Sequence, residues 1–255
     1  MVVGCGIIAP AQVTTEARLH IERADCVFSL VADPVAAQWL TSVNPRTQSL
    51  AGLYRVDKPR RETYEEMTAT IVARVVDGAS VCAVSYGHPG VFARPLHDAV
   101  KRVRAAGLEA TMLPAVSAED CLFAELGIDP AQTGACSFEA TDFLIYDRHV
   151  DRTATIILWQ IGVIGERSYK RQSDAWNIDG VRALVERLER SYGAEHEVIV
   201  YQAAQLITGR STIVRTRLRD LANAPITTLS TLVIPPADKR ILNEAVYARL
   251  TSAPA

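Results

Sequence analysis

The chain has 255 residues, 49% of them hydrophobic and 22% charged, which is enough for one large domain or two small ones with a full core. A net charge of -2 and an isoelectric point near 6.2 leave no basic footprint for nucleic acid. No apolar run reaches the length of a membrane span, and MVVGCGIIAP lacks the basic start of a signal peptide, so neither feature is expected.

Residues 1–8 read as a buried first strand with glycines at its end. The Gly4-Cys5-Gly6 turn and a helix over 14–23 resemble a phosphate-binding start, but the G-x-G-x-x-G pattern is missing, because position 9 is Ala. Residues 26–31 read as a second strand and 33–40 as a helix. Tyr54 and Arg55 fall in a loop, and Pro59 then opens a helix, as proline tolerates a first turn. Tyr64, Met67, Ile71 and Val75 recur at helical spacing. Arg60 and Tyr64, four apart, share a helix face. They are either a reactive pair or a core-edge tyrosine beside a solvated arginine.

The stretch SVCAVSYGHPGVF, residues 80–92, organises the chain. Its first half is a buried strand; Gly87, His88, Pro89 and Gly90 then stop it abruptly. Such an ending is either a tight strand-to-helix turn or the ligand crevice of an open α/β sheet. A helix over 95–106 and a strand over 109–113 follow. Ser117 and Asp120 form a capping-box pattern whose free N–H groups could also receive a polar ligand.

In the second half, 137–147 contains Phe138, Phe143, Leu144 and Ile145 but alternates imperfectly, and 153–162 is a long β-rich run containing Gln160. A helix over 178–192, strands over 197–201 and 212–216, and a short helix over 218–223 come next. A last strand over 227–234 stops at Pro235-Pro236, followed by a helix over 238–250 and a tail, TSAPA, expected to fray. Alternating strands and helices argue an α/β fold of two lobes, 1–115 and 116–255.

The five cysteines (Cys5, Cys26, Cys82, Cys121, Cys136) contain no C-x-x-C pair and suit reduced thiols in a cytoplasmic protein. His20, His88, His97, His149 and His196 show no metal-binding spacing, so no metal is expected. What remains is a glycine turn, a Tyr/Arg group and apolar strand ends, which suit a bulky, partly apolar cofactor.

The segments KPRRETYEEM, YGHPGVFARP, MLPAVSAEDCLFAELGIDP, FEATDFLI, LWQIGVIG, SYGAEHEVIVYQAA and STLVIPP carry a resemblance. The chain resembles the tetrapyrrole-methylase superfamily over residues 1–236, and within it the borosin peptide α-N-methyltransferases. That resemblance implies a two-lobed tetrapyrrole-methylase-like fold with S-adenosylmethionine in the inter-lobe cleft, released as S-adenosylhomocysteine. It implies that Tyr86, His88, Val91, Phe92, Ser117, Ala118, Gln160, Ala203 and Thr231 meet the cofactor, and that Tyr54, Arg60 and Tyr64 are catalytic. It also implies a homodimer, or a heterotetramer with two peptides. In fused members the acceptor is a C-terminal extension; here 236–255 carries no such segment, so a precursor peptide acting in trans is expected. The alternatives are a corrinoid-precursor C-methyltransferase and a non-catalytic cofactor- or peptide-binding module. The first loop, GIIAPAQVT, departs from the glycine-rich loop of the ring-methylating branch, which argues against a tetrapyrrole substrate.

Overall fold

The structure, a computed structural model, describes residues 1–170, 175 and 177–251. Residues 252–255 of the expected frayed tail lie outside these. The chain divides into two compact units. The first comprises Met1–Ile128, Gly165–Trp176 and Gln202–Thr212; the second comprises Asp129–Ile164, Asn177–Tyr201 and Ile213–Ala255. The helix that Ser117 caps therefore groups with the first unit, beyond the boundary at 115 expected from sequence, and the chain returns to that unit twice.

The first unit holds β1 (Val2–Gly4), α1 (Thr15–Arg23), β2 (Cys26–Leu30), α2 (Pro34–Val43), β3 (Thr47–Ser49), α3 (Arg60–Val76), β4 (Val81–Ser85), α4 (Arg94–Ala105) and α5 (Ala118–Leu126). Its parallel sheet has the order β1-β4-β2-β3. Successive side chains point to opposite faces. Val3, Val27, Cys82 and Val84 pack with Ile21 of α1 and Leu40 of α2. Val2, Phe28, Val81 and Ala83 pack with Met67 and Ile71 of α3 and Leu96 of α4. With helices on both faces, β4 is buried along its whole length, which is why its sequence is apolar from Val81 to Val84, with only Ser85 polar at its end.

Residues 109–113 are not the strand expected. Val2 donates to the Thr111 carbonyl at 2.8 Å and accepts from Leu113 at 2.9 Å, leaving a single bridge to Met112. Pro114 follows, has no N–H, and ends the ladder.

The second unit holds α6 (Pro130–Thr133), β5 (Ala135–Glu139), α7 (Ala140–Ile145), β6 (Thr155–Trp159), α8 (Ile178–Tyr192), β7 (Glu197–Gln202), β8 (Thr212–Arg217), β9 (Thr231–Ile234) and α9 (Glu244–Thr251). Its sheet has the order β5-β6-β9-β7-β8 and is mixed: β5 and β6 are parallel, and β9 runs antiparallel to β6 and β7. Alternation fails in 137–147 because the strand hands over to a helix at Ala140, where the Glu139 side chain caps the Asp142 N–H. The expected run over 153–162 stops at Trp159, because Gln160 is left-handed (φ 61°) and opens a 3-10 turn. The last strand starts at Thr231 rather than 227, since 227–230 close a turn through Ser230 N–H to Thr227 O at 3.1 Å. The last helix starts at Glu244 rather than 238; Asp238 instead pairs with Arg152 at 2.8 Å. Among the described residues no helix is long and apolar enough to cross a membrane.

Candidate functional site

In the first unit β1 and β4 are neighbours whose connections leave in opposite directions. The chain passes from β1 to β2 on one side, and from β4 to Met112 beyond the other edge of β1. This switch point is where an open α/β sheet binds its ligand, outside the strand carboxyl ends. The backbones close in here: Gly87 N–H donates to Gly6 O at 2.9 Å. A Cβ on Gly4 would lie 2.1 Å from the Gly87 carbonyl oxygen, so only glycine permits this approach.

Of the expected cofactor residues, Tyr86, His88, Val91, Phe92, Ser117, Ala118 and Ala203 lie in this unit. The Tyr86 phenol is pushed up to about 12, chiefly by burial, against a hydrogen bond with Gln205. His88 Nδ1 accepts from Gly90 N–H at 2.9 Å, which assigns the proton of a neutral ring to Nε2. Val91 and Phe92 are about half exposed. Phe92 holds φ 51°, a strained conformation for an aromatic residue. Ala203 lines a cavity of 230 Å³ with Asp33, Gln205 and Arg210. The Ser85 hydroxyl at the end of β4 is buried and unpartnered.

Ser117 completes the capping box. Its hydroxyl donates to Asp120 at 2.7 Å and accepts from the Asp120 N–H at 3.2 Å, while its own N–H goes to the Asp120 carboxylate at 2.7 Å. With Glu119 and Asp120 in the first turn, this helix start offers no vacant anion cradle.

Gln160 and Thr231 lie in the second unit, where adjacent strands bring them to one end of the sheet. Ile161 N–H donates to Ser230 O at 3.3 Å, tying the two segments. Thr231 is buried opposite Tyr201.

Tyr54, Arg60 and Tyr64 do converge, also in the first unit. The rings of Tyr54 and Tyr64 meet edge-on at 6.5 Å. Burial raises the Tyr54 phenol far above the ordinary tyrosine range; the Tyr64 phenol and a hydrogen bond with it raise it further, and Arg60 opposes this. Tyr54 therefore keeps its proton and gives it to a hydrogen bond with Tyr64.

Tyr169 was invisible to sequence reasoning. Its ring lies 5.3 Å from that of Tyr54. Residues 167–169 run beside the loop before α3: Arg60 N–H donates to Arg167 O at 2.8 Å and Asp57 N–H to Tyr169 O at 3.1 Å. Nothing local in GERSYK signals this. Lys58 is also missed. Its Nζ reaches Glu66 at 2.6 Å and the Leu53 carbonyl at 3.3 Å, clamping the Tyr54 loop to α3. Gln12 accepts from the N–H groups of Ile7 and Ile8 and ties the first loop to Cys121 at 3.8 Å.

Four non-glycine residues among those described have positive φ: Asp57, Phe92, Asp147 and Gln160. Two are expected cofactor residues, and Asp57 lies between Tyr54 and Arg60. Strain of this kind gathers where function needs a fixed geometry. Among the described residues no group of three His, Cys, Asp or Glu could hold a metal ion.

The chain is 40% identical over 255 residues to a methyltransferase/ribosomally synthesized type III borosin cyclic peptide precursor of Anomoporia bombycina, covering 98% of this chain and 29% of that protein. It is 39% identical over 259 residues to the methyltransferase/omphalotin A precursor of Omphalotus olearius, covering 100% and 61%. It thus spans less than two thirds of these relatives' length. The solved uroporphyrin-III-C-methyltransferase of Thermus thermophilus superposes with TM-score 0.65 at 18% identity, covering 99% of this chain and 96% of that one. The methyltransferase CobJ superposes equally, at 17% identity over 95% of each chain. These two structures establish the fold. Residues 1–222 match the Tetrapyrrole (Corrin/Porphyrin) Methylases, and the chain belongs to that family.

Proposed function

We propose that this chain is an S-adenosylmethionine-dependent methyltransferase that α-N-methylates backbone amides of a ribosomal precursor peptide. The observation that carries the reading is the hydrogen-bonded Tyr54–Tyr64 pair in the field of Arg60, with Tyr169 against it. The printed names of the relatives support the same chemistry.

The residues at the switch point fit the cofactor. Its half-apolar body suits the exposed faces of Val91 and Phe92; its hydroxyl and ammonium groups suit Asp33 and Gln205 in the adjoining cavity. The buried Ser85 hydroxyl lacks a partner that a ligand group would supply. The carboxylates at the start of α5 suit a cation better than a phosphate. Gln160 and Thr231 are proposed as further contacts from the resemblance. When bound, the cofactor supplies an electrophilic methyl group on a sulfonium.

The chain must then make a poor nucleophile react. An amide nitrogen's lone pair is delocalised into its carbonyl, so the N–H proton must leave as the new N–C bond forms. Tyr64 takes that proton. Tyr54, which keeps its own, donates to the Tyr64 oxygen and stabilises the phenolate. The Arg60 guanidinium favours the same charge. Packing of Tyr169 on Tyr54 and the Lys58 clamp hold the pair in one geometry.

The test is incubation with deuterium-methyl cofactor and synthetic peptides bearing Val/Ile/Gly stretches, read by tandem mass spectrometry. Backbone N-methyl fragments support the reading. Methyl transfer to side chains or to a corrinoid precursor alone overturns it.

A further inference from the structure

A groove of 360 Å³ between α3 and α4, lined by charged side chains, is unused by this chemistry, although Tyr64 lines it. Four cations line it, Arg61 from α3 and Arg94, Lys101 and Arg102 from α4, against two carboxylates, Glu65 and Asp98. That local excess contrasts with the chain's overall charge of -2. The spacing is helical: Arg61 and Glu65 are four apart, as are Arg94 and Asp98, and Asp98 and Arg102, so each set shares one face.

The two carboxylates are already committed. Glu65 holds Arg102 through two bonds of 2.6 Å, and the Arg102 guanidinium keeps the Glu65 carboxyl below its ordinary range. Asp98 meets Arg94 once, at 3.4 Å. Among the described residues, Arg61 and Lys101 make no ion pair. An ordinary solvated ion-pair face would balance its charges; here Arg61 and Arg94 also act on Glu65, and the concave space still carries two positive charges more than its carboxylates offset. Guanidinium forks and ammonium groups so placed recognise carboxylates.

We propose that this groove is a docking subsite for carboxylate side chains of the peptide substrate, flanking the amide presented to Tyr64. The proposal rests on the peptide-methylation reading above. It gives the enzyme a means of choosing a register: an acidic residue anchored in the groove sets which amide reaches the phenol.

The test uses the full chain and two fluorescein-labelled synthetic peptides. Both carry one Val/Ile/Gly stretch, flanked in one by three Glu and in the other by three Gln. Anisotropy is measured at low and high salt. The Glu peptide should bind about tenfold tighter, with the difference shrinking at high salt. It should vanish in Arg61→Gln/Lys101→Gln, whose circular dichroism stays that of the parent. Equal binding of the two peptides, or a preference that survives in the double variant, overturns the proposal. Methylation of both peptides by the parent chain with the same KM removes the groove but leaves the methyltransferase reading intact. No methylation of either, with the charge preference present, removes that reading instead.

Discussion

Tyr54 gives its hydrogen bond to Tyr64 rather than taking one from it, because burial holds the Tyr54 proton in place. In the proposed mechanism Tyr64 receives the amide proton, and Tyr54, whose own proton burial retains, is the donor that steadies the result. Tyr64→Phe should therefore lower methylation by about a hundred- to ten-thousand-fold while cofactor binding is kept. Tyr54→Phe should cost less and displace the pH–rate profile upward, since the phenolate loses its donor. Calorimetry with S-adenosylhomocysteine, alongside mass-spectrometric rates, separates binding from chemistry.

Lys58 anchors the loop that carries Tyr54, with its side chain only 11% exposed. Lys58→Met keeps the aliphatic stem and loses the bonds to the Leu53 carbonyl and Glu66. The rate should fall about tenfold or more, as small misplacements do in oriented reactions. The melting temperature should fall only modestly, because Met keeps the buried stem packed and Glu66, 45% exposed, is solvated once its partner is gone.

Gly4 and Gly52 make a matched pair of substitutions. A Cβ at Gly4 meets backbone at 2.1 Å, whereas one at Gly52 meets nothing within 4 Å. Gly4→Ala should destabilise by about 3 kcal/mol and weaken cofactor binding, since strand and turn must part. Gly52→Ala should stay within about 0.5 kcal/mol of the parent. Urea denaturation reads both.

Ser117 has a structural duty that can be subtracted. Asp120→Ala removes the reciprocal half of the capping box and should cost about 1 kcal/mol. Ser117→Ala should cost a similar amount. If Ser117 also meets the cofactor, it alone should weaken cofactor affinity beyond what the stability loss explains.

Burial pushes Cys5 up to about 11, and Cys82 and Tyr86 each up to about 12. Their unfolded values are 9.0 for the thiols and 10.0 for the phenol. Unfolding therefore releases protons at high pH. The stability these groups contribute is complete below about pH 9 and is lost as pH rises towards their folded values. The melting temperature should fall steadily above pH 9, and Cys82→Ala should flatten part of that slope. The same burial should leave Cys5 and Cys82 unreactive to a thiol reagent in the folded chain, while half-buried Cys121 and Cys136 react first.

The local order of the chain was readable in its residues. The apolar run at 81–84 announced a buried strand, and helices cover both of its faces. Ser117 and Asp120 announced a capping box, and Pro59 a helix start; both patterns act within one turn, so neighbouring residues decide them. Helical spacing put Arg60 and Tyr64 on one face but left their role open, and the resemblance alone singled them out together with Tyr54. What only the tertiary structure decided depends on partners far along the chain. Residues 109–113 have strand composition, yet Pro114 and a lone partner at Val2 leave one bridge. The stretch 137–147 scatters Phe138, Phe143, Leu144 and Ile145 among polar residues and divides at Ala140 because β6 offers a parallel ladder as far as Glu139. Tyr169 reaches Tyr54 because 167–169 returns to lie against the loop before α3. Period-two and period-3.6 patterns record which face of an element is buried. They do not record which distant residue arrives to bury it, and the donor order within the tyrosine pair follows from that burial.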